Sequence, residues 1–197
     1  AVQHGVGLTV VGPEVPLIDG IVDRFQKKGL RIFGPNAAAA QLEGSKIFAK
    51  EAMVNTGVPT GAFHPFDDAD RALAFLRDQP AEKPWVIKAD GNALGKGVLI
   101  CDNRAEAMAA VETVMVLREF GAAGDRISLE ERLYGYEVSL LGICSGQDML
   151  PLAPAQDYKR ISDGDTGPNT GGMGCYSPVP NFPPALVEFC REKVFAP

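Results

Sequence analysis

A lysine that is followed by closely spaced glycines marks the first segment with recognisable chemistry. Lys88 ends an apolar run, and residues 88–97 (KADGNALGKG) then bring three glycines and Lys96. Glycines let backbone N–H groups approach phosphate oxygens, and lysine ammonium groups neutralise phosphate charge. A Walker loop is excluded because Gly97, rather than Ser or Thr, follows Lys96. The segment predicts a phosphate-binding loop, with a plain glycine-rich hairpin turn as the alternative.

Carboxylates at the end of a second apolar run form another candidate site. Glu130 and Glu131 end residues 127–131, and Glu137 follows shortly after. An extended segment offers backbone N–H and C=O groups to an adenine edge, and a later carboxylate can accept hydrogen bonds from ribose hydroxyls. Taken alone, the segment is better interpreted as an exposed acidic turn between strands, and only its combination with the Lys88 segment favours nucleotide binding.

A third candidate is the long polar segment 156–174. It combines acidic, basic, amide and hydroxyl side chains with five glycines. Connections of this length without regular structure are usually functional or disordered. The run Asp163-Gly164-Asp165 lacks the remaining ligand spacing and the closing Glu of an EF-hand, so calcium is excluded.

The first part of the chain reads as strand, helix, strand. Residues 8–11 and 31–33 are apolar strands that each lead into Gly-Pro, and an amphipathic helix is predicted over residues 16–28. This order predicts a doubly wound parallel sheet with ligands at the carboxyl ends of its strands. Two strands are too few for such a domain, so we expect residues 1–43 to be the C-terminal part of an N-terminal substrate domain.

From Gly44 onward, the pattern changes to α+β with a largely antiparallel sheet. Ser45 is the predicted cap of a helix over residues 46–55, and Asp67 or Asp68 is the predicted start of the next helix. Further helices are predicted over residues 104–115 and 184–194. The predicted strands are residues 85–88, 98–101, 127–131, 137–141 and 149–152. We expect residues 44–197 to form one second domain, incomplete at its C-terminal end.

Composition excludes several function classes. The chain has 19 Lys plus Arg against 25 Asp plus Glu, a net charge of −6, which offers no broad basic surface to a nucleic acid. The sequence has no apolar run long enough for a membrane span and no secretory signal at its start, so a cytoplasmic location without a membrane partner is expected. The four cysteines lack any C-x-x-C pair and the two histidines are far apart, so no metal site is predicted.

With these segments placed, the chain resembles the ATP-grasp family and, within it, the phosphoribosylamine–glycine ligase (glycinamide ribonucleotide synthetase) family. The resemblance covers about residues 8–180. Its most specific part is the run DGDTGPNTGGMG within residues 156–174. The other matching segments are residues 11–14, 41–46, 48–50, 57–60, 88–97 and 130–131. The chain departs from the family pattern at Asn92, Leu94, Tyr158 and Cys175.

The resemblance implies roles for individual residues. Lys46 and Lys88 contact ATP phosphates and act catalytically by neutralising charge, and the loop residues Gly91, Gly95, Lys96 and Gly97 close over the phosphates. Glu130, Glu131 and Leu133 hold adenine, and Glu137 holds ribose. The residues implied to face phosphoribosylamine and glycine are Gly12, Pro13, Glu14, Asp157, Lys159, Arg160, Asn169, Thr170, Gly171, Gly172 and Met173.

The resemblance also implies a reaction: glycine and phosphoribosylamine are joined at the expense of ATP, through glycyl phosphate, in purine biosynthesis. Magnesium is implied, with its ligands expected outside this chain, which we expect to be a fragment lacking both ends. The oligomeric state is left open. The alternatives are another ATP-grasp enzyme, such as a biotin-dependent carboxylase or another purine-pathway ligase, and a nucleotide-binding fragment that is not catalytic by itself.

Overall fold

The structure is a computed structural model that describes residues 1–91, 97–164 and 166–197. These residues divide into two compact units. The first unit comprises Ala1–Met53 and Gly61–Arg132, and the second comprises Val54–Thr60 and Leu133–Pro197. The helices are α1 Glu14–Ile18, α2 Ile21–Gln26, α3 Gln41–Gly44, α4 Lys46–Thr56, α5 Ala69–Arg77, α6 Arg104–Val111 and α7 Pro184–Cys190. The strands are β1 Thr9–Val10, β2 Ile32–Phe33, β3 Phe63–Phe66, β4 Trp85–Ala89, β5 Val98–Cys101, β6 Ile127–Glu131, β7 Gly142–Ser145, β8 Asp148–Pro151, β9 Gln156–Asp157, β10 Arg160–Ser162, β11 Thr166–Asn169 and β12 Cys175–Tyr176.

The start of the chain has the predicted strand, helix, strand order. Strands β1 and β2 pair in parallel, with Thr9 opposite Ile32. The helix predicted over residues 16–28 is instead two helices, α1 and α2, because Gly20 between them has a φ of +77°. That left-handed conformation interrupts a right-handed helix and favours glycine.

The main sheet of the first unit has four strands in the order β3-β6-β4-β5. Every neighbouring pair in it is antiparallel. This confirms the predicted largely antiparallel arrangement and places β4, with Lys88, beside β6, with Glu130.

The two faces of this sheet differ in chemistry because successive side chains alternate between faces. Trp85, Ile87, Ile127 and Leu129 are fully buried on the face that belongs to the hydrophobic core, which residues of α5 and α6 complete. Lys88, Ser128 and Glu130 occupy the opposite face, and both Ser128 and Glu130 are buried. Two polar side chains buried on one face need partners, and these define the candidate site.

The caps at Ser45 and Asp68 agree with the sequence prediction, and the structure adds one at Asn103. The Asp68 side chain accepts the Arg71 N–H at the start of α5, and Asn103 accepts the Glu106 N–H at the start of α6. The Ser45 hydroxyl accepts the Phe48 N–H at the start of α4. Helix α6 is shorter than the predicted 104–115, since its last part, Glu112–Val116, winds as a π-helical turn.

In the second unit, β7 pairs with β8, β9 with β12, and β10 with β11, all antiparallel. The strand predicted over residues 137–141 is wrong: that segment contributes one isolated bridge, Ser139 to Ala155. Gly146, with a φ of +60°, forms the turn of a hairpin in which Gly142–Ser145 pairs with Asp148–Pro151. The observed strand β7 therefore begins after the predicted range 137–141. The predicted helix 184–194 is α7 followed by a π-helical turn, Arg191–Phe195. No helix within the described ranges is both long and apolar enough to span a bilayer.

Candidate functional site

Lys46 and Lys88 both lie at the end of β4. Lys46 is the first residue of α4, and its Nζ donates hydrogen bonds to the carbonyl oxygens of Ala89, at 3.0 Å, and Gly91, at 3.3 Å. These two carbonyls belong to the first and third residues after Lys88. The structure therefore brings both lysines that the sequence assigned to phosphates to one place.

Asp90 connects the start of α4 to the end of β4 through its side chain. Its Oδ1 accepts hydrogen bonds from the Ser45 hydroxyl at 2.9 Å and from the Ile47 N–H at 2.8 Å. Its Oδ2 lies 3.6 Å from Arg126 Nη1. A buried carboxylate is costly unless it is paired and hydrogen-bonded, and Asp90 meets that condition by tying the first turn of α4 to the end of β4.

Glu130 is the second buried carboxylate of the site. Its Oε2 lies 2.9 Å from Lys88 Nζ and 3.1 Å from Lys50 Nζ. Its Oε1 accepts a hydrogen bond from the Ser128 hydroxyl at 3.1 Å. The Glu130 side chain is only 5% exposed, and its carboxylate contacts the two lysines rather than solvent. The sequence grouped Glu130 with the adenine contacts, and the structure shows its side chain engaged with these lysines.

The charges of the site do not cancel. Lys46, Lys50 and Lys88 supply three positive charges near the end of β4, against one negative charge each from Glu130 and Asp90, and Asp90 also faces Arg126. A partly enclosed excess of positive charge attracts anions, since the interaction is weakly screened there. This balance fits a phosphate ligand.

Glycine is required at position 91 by packing. A Cβ placed there would lie 2.9 Å from both the Cα and the Cβ of Ala123. The other loop end is held as well, because the Ala89 N–H donates to the Gly97 carbonyl at 2.8 Å. Gly95 and Lys96, with Asn92 and Leu94, belong to residues 92–96 and lie outside the described residues.

The other predicted adenine and ribose residues, Glu131, Leu133 and Glu137, are exposed, and they fall in both units. Glu131 ends β6 in the first unit, where its N–H donates to the Ala62 carbonyl at 3.0 Å. Leu133, in the second unit, is 71% exposed. Glu137, also in the second unit, has its Oε1 3.5 Å from Lys159 Nζ.

Two of the predicted substrate residues of the first unit line a cleft. Gly12 and Glu14 border an open cavity of about 330 Å³, together with Leu17, Pro35, Ala40 and Glu43. Pro13 precedes α1 as its N-cap residue. The cleft adjoins the carboxyl end of β1, and its role as a substrate site stays a prediction.

The predicted substrate segment of the second unit is folded on itself. Tyr158 N–H donates to the Gly174 carbonyl at 2.9 Å, and Met173 N–H donates to the Tyr158 carbonyl at 2.8 Å. Thr170 donates to the Lys159 carbonyl through both its N–H and its hydroxyl. The segment thus contains two short antiparallel strand pairs, β9 with β12 and β10 with β11, and Gly171 and Gly172 lie in the connection between β11 and β12.

Lys159 links two carboxylates of that unit. Its Nζ lies 3.1 Å from Asp157 Oδ2 as well as near Glu137. The hydrogen bond that Lys159 donates to Asp157, followed by the attraction of Glu137, raises the pKa of Lys159 against the opposing effect of burial. Arg160 points elsewhere, since its Nη1 donates to the Gly167 carbonyl at 3.3 Å, and Asn169 contributes backbone to β11.

The described residues do not fit magnesium. Within residues 1–91, 97–164 and 166–197, no three or more His, Cys, Asp or Glu side chains converge in a way that could hold a metal ion. The buried carboxylates Asp90 and Glu130 are already engaged with N–H, hydroxyl and cationic groups. We therefore assign no step to a metal held by these residues.

Sequence reasoning gave no role to Lys50 or Asp90. Both had a local signal: Lys50 follows Lys46 by one helical turn, so the two lie on one helix face, and Asp90 follows Lys88 by two residues. The sequence could not identify their partners, because Glu130 lies far from Lys50 along the chain and the start of α4 lies far from Asp90.

Comparison with protein families identifies two matching models. The model described as "Phosphoribosylglycinamide synthetase, ATP-grasp (A) domain" matches residues 44–197. The model described as "Phosphoribosylglycinamide synthetase, N domain" matches residues 1–43. Together these models account for the whole chain.

Individual relatives agree with the family models. The chain is 47% identical to a phosphoribosylamine–glycine ligase of Halalkalibacterium halodurans over 100% of this chain and 46% of the relative. It is 50% identical to one of Xanthomonas axonopodis pv. citri over 100% of this chain and 45% of the relative. The crystal structure of phosphoribosylamine–glycine ligase from Thermotoga maritima matches with a TM-score of 0.77 and 30% identity, over 98% of this chain and 47% of that one. The chain thus spans about half the length of the curated relatives it matches.

Proposed function

We propose, because the chain belongs to the phosphoribosylglycinamide synthetase family, that it supplies the ATP-binding part of a ligase of purine biosynthesis. The ligase joins glycine to phosphoribosylamine and yields glycinamide ribonucleotide, ADP and phosphate. The cytoplasmic location expected from the sequence stays a prediction.

One observation carries the proposal: Lys46 and Lys88 lie together at the end of β4, next to backbone groups of the glycine-rich segment. Phosphoryl transfer needs little covalent chemistry from a protein, since positioning and charge neutralisation supply most of the stabilisation. Two ammonium groups at a glycine-rich strand end supply both. In this proposal they bind the β- and γ-phosphates of ATP.

The chemistry proceeds in two steps. A glycine carboxylate oxygen attacks the γ-phosphorus and ADP leaves, which gives glycyl phosphate. The amine of phosphoribosylamine then attacks the glycyl carbonyl, phosphate leaves, and the amine loses a proton. Lys46 and Lys88 offset the negative charge that spreads over the phosphoryl oxygens during the first step.

The remaining assignments follow the resemblance. Backbone groups of Glu131 and Leu133 hold the adenine edge, and Glu137 holds the ribose. Gly12, Pro13 and Glu14, with the folded segment around Asp157, face phosphoribosylamine and glycine. The cleft beside Gly12 and Glu14 supports the first part of this assignment, since a carboxylate there can accept hydrogen bonds from an amine.

The proposal is tested by titrating the isotope-labelled chain with ATP and following backbone amide NMR signals. We expect saturable shifts at Lys46 and at Lys88 to Gly91, and much smaller shifts there with adenosine, which lacks phosphates. Shifts that avoid this region, or that are equal with adenosine, would contradict the phosphate assignment. The ligase reaction is tested by glycine-dependent ADP release from a longer polypeptide that carries this sequence.

A further inference from the structure

We propose that Lys50 is a positioning residue for the nucleotide phosphates: it neutralises Glu130, so that Glu130 orients Lys88 without cancelling the positive charge that Lys88 presents. The inference rests on the proposed function and deepens it. The same inference removes the Glu130 side chain from the predicted adenine contacts, because this side chain contacts a lysine rather than the base.

The position of Lys50 follows from the helix period. Lys46 and Lys50 are one turn apart on α4, so both side chains project from the face that meets the sheet. Lys50 Nζ lies 3.1 Å from Glu130 Oε2, donates a hydrogen bond to the Gly61 carbonyl at 3.2 Å and lies 6.0 Å from the centre of the Phe63 ring. Its side chain is 13% exposed. A cation enclosed in this way is fixed in place and faces a carboxylate rather than solvent.

Glu130 is equally fixed. Lys88 stands opposite Ser128 in the β4–β6 ladder, and Glu130 is two residues further on β6, on the same face. Oε1 is occupied by the Ser128 hydroxyl, and Oε2 is shared between the two lysines. A carboxylate with both oxygens engaged gives Lys88 a defined direction.

The charge count explains why two lysines are needed. Lys88 and Glu130 alone sum to zero, and such a pair attracts a phosphate weakly. Adding Lys50 leaves one net positive charge in the cluster. Lys88, at 29% exposure against 13% for Lys50, is the member that solvent and a ligand can reach. Lys50 therefore compensates the buried carboxylate, and Lys88 remains available to the phosphates.

Two charge-matched double variants test this division of roles. Lys50→Met/Glu130→Gln and Lys88→Met/Glu130→Gln each remove one lysine and the carboxylate, so the cluster keeps the same net charge in both. Lys50→Met/Glu130→Gln removes both members of one buried pair, whereas Lys88→Met/Glu130→Gln leaves Lys50 without its carboxylate but with the Gly61 carbonyl. The urea unfolding of each double variant is therefore compared with that of the parent before binding is measured. ATP and adenosine affinities of the whole chain are measured by NMR titration. A control double variant, Lys28→Met/Glu51→Gln, changes two exposed residues of the first unit.

We expect the first double variant to bind ATP within about threefold of the parent, and the second to bind at least about tenfold more weakly, as for the loss of a charge-assisted contact. Adenosine affinity should be the same in both. Lys50→Met alone should weaken ATP binding by about tenfold, because Glu130 then cancels Lys88, and adding Glu130→Gln should restore most of the loss.

Equal ATP affinity in the two double variants would overturn the inference. So would a loss of adenosine binding in every Glu130→Gln variant, which would return Glu130 to the base. If Lys88→Met alone leaves ATP affinity unchanged, the phosphate role of Lys88 fails, and the proposed function loses its main support before the question of Lys50 arises.

Discussion

The carboxylate of Asp90 accepts the backbone N–H of Ile47 at 2.8 Å, although 43 residues separate the two in sequence. The same oxygen accepts the Ser45 hydroxyl. This contact fixes the first turn of α4 against the end of β4 and thereby sets the distance between Lys46 and Lys88. Asp90, a residue to which the sequence gave no role, thus brings the two lysines to the same end of β4.

Replacing Asp90 with Ala should lower the free energy of unfolding by about 1–3 kcal/mol, because the buried Ile47 N–H loses its acceptor. The chain has one tryptophan, Trp85, which is buried in the core, so urea unfolding can be followed by its fluorescence. Asp68→Ala removes an exposed cap of α5 and should cost about 1 kcal/mol or less. If both variants lower the free energy of unfolding equally, the Asp90 contact contributes no more to stability than an exposed helix cap.

Lys46→Met should weaken ATP binding by about 2–4 kcal/mol while leaving adenosine binding unchanged, since a positive charge beside the phosphates is lost. Titration calorimetry or NMR measures both ligands. Lys28→Met, at an exposed position of the same unit, is the matched control. An equal loss of adenosine affinity would indicate that Lys46 supports the fold rather than the phosphates.

Lys159→Met should raise the apparent KM for glycine or phosphoribosylamine more than the KM for ATP. Without Lys159, the carboxylates of Asp157 and Glu137 lose their shared cation, and the substrate segment loses its link to the predicted ribose residue. Steady-state kinetics of a longer, active polypeptide carrying this sequence provide the measurement. A defect confined to ATP would place Lys159 with the nucleotide instead.

Acid should destabilise the first unit through His64. Burial, and then repulsion from Lys83, lowers the pKa of His64 below its ordinary 6.5. The folded state therefore disfavours the protonated ring, so the contribution of His64 to stability is complete above about pH 6.5 and is lost as the pH falls through the lowered pKa. Urea midpoints measured across this range should show a smaller pH slope in His64→Gln than in the parent. His4→Gln, at an exposed position, should keep the slope of the parent.

Cys101 should be the slowest of the cysteines to react with a thiol reagent at pH 8. Burial, followed by the charges of Glu106 and Asp102, raises the pKa of Cys101 to about 11, and only the thiolate reacts. Cys144 and Cys175 are exposed and should be modified first. Mass spectrometry of a time course identifies each site, and added urea should remove the difference. Early modification of Cys101 in the folded chain would contradict its burial.

The sequence by itself determined the element types and the residue chemistry. Strand β4 was evident because apolar residues end at Lys88, and α4 was evident because Ser45 precedes a helical run with no Gly or Pro. These signals act within a few residues, so they need no knowledge of the rest of the chain. The sequence failed at a strand boundary: it predicted a strand over residues 137–141, but the hairpin around Gly146 places β7 at Gly142–Ser145, paired with β8.

Only the tertiary structure decided which carboxylate faces which lysine. The letters Glu130-Glu131 suggested two equivalent groups, yet side-chain alternation and the antiparallel register bury Glu130 between Lys50 and Lys88 and leave Glu131 exposed. A shift of one residue in the β4–β6 register would exchange their faces. Register depends on the packing of the whole sheet against α5 and α6, so no local pattern contains it.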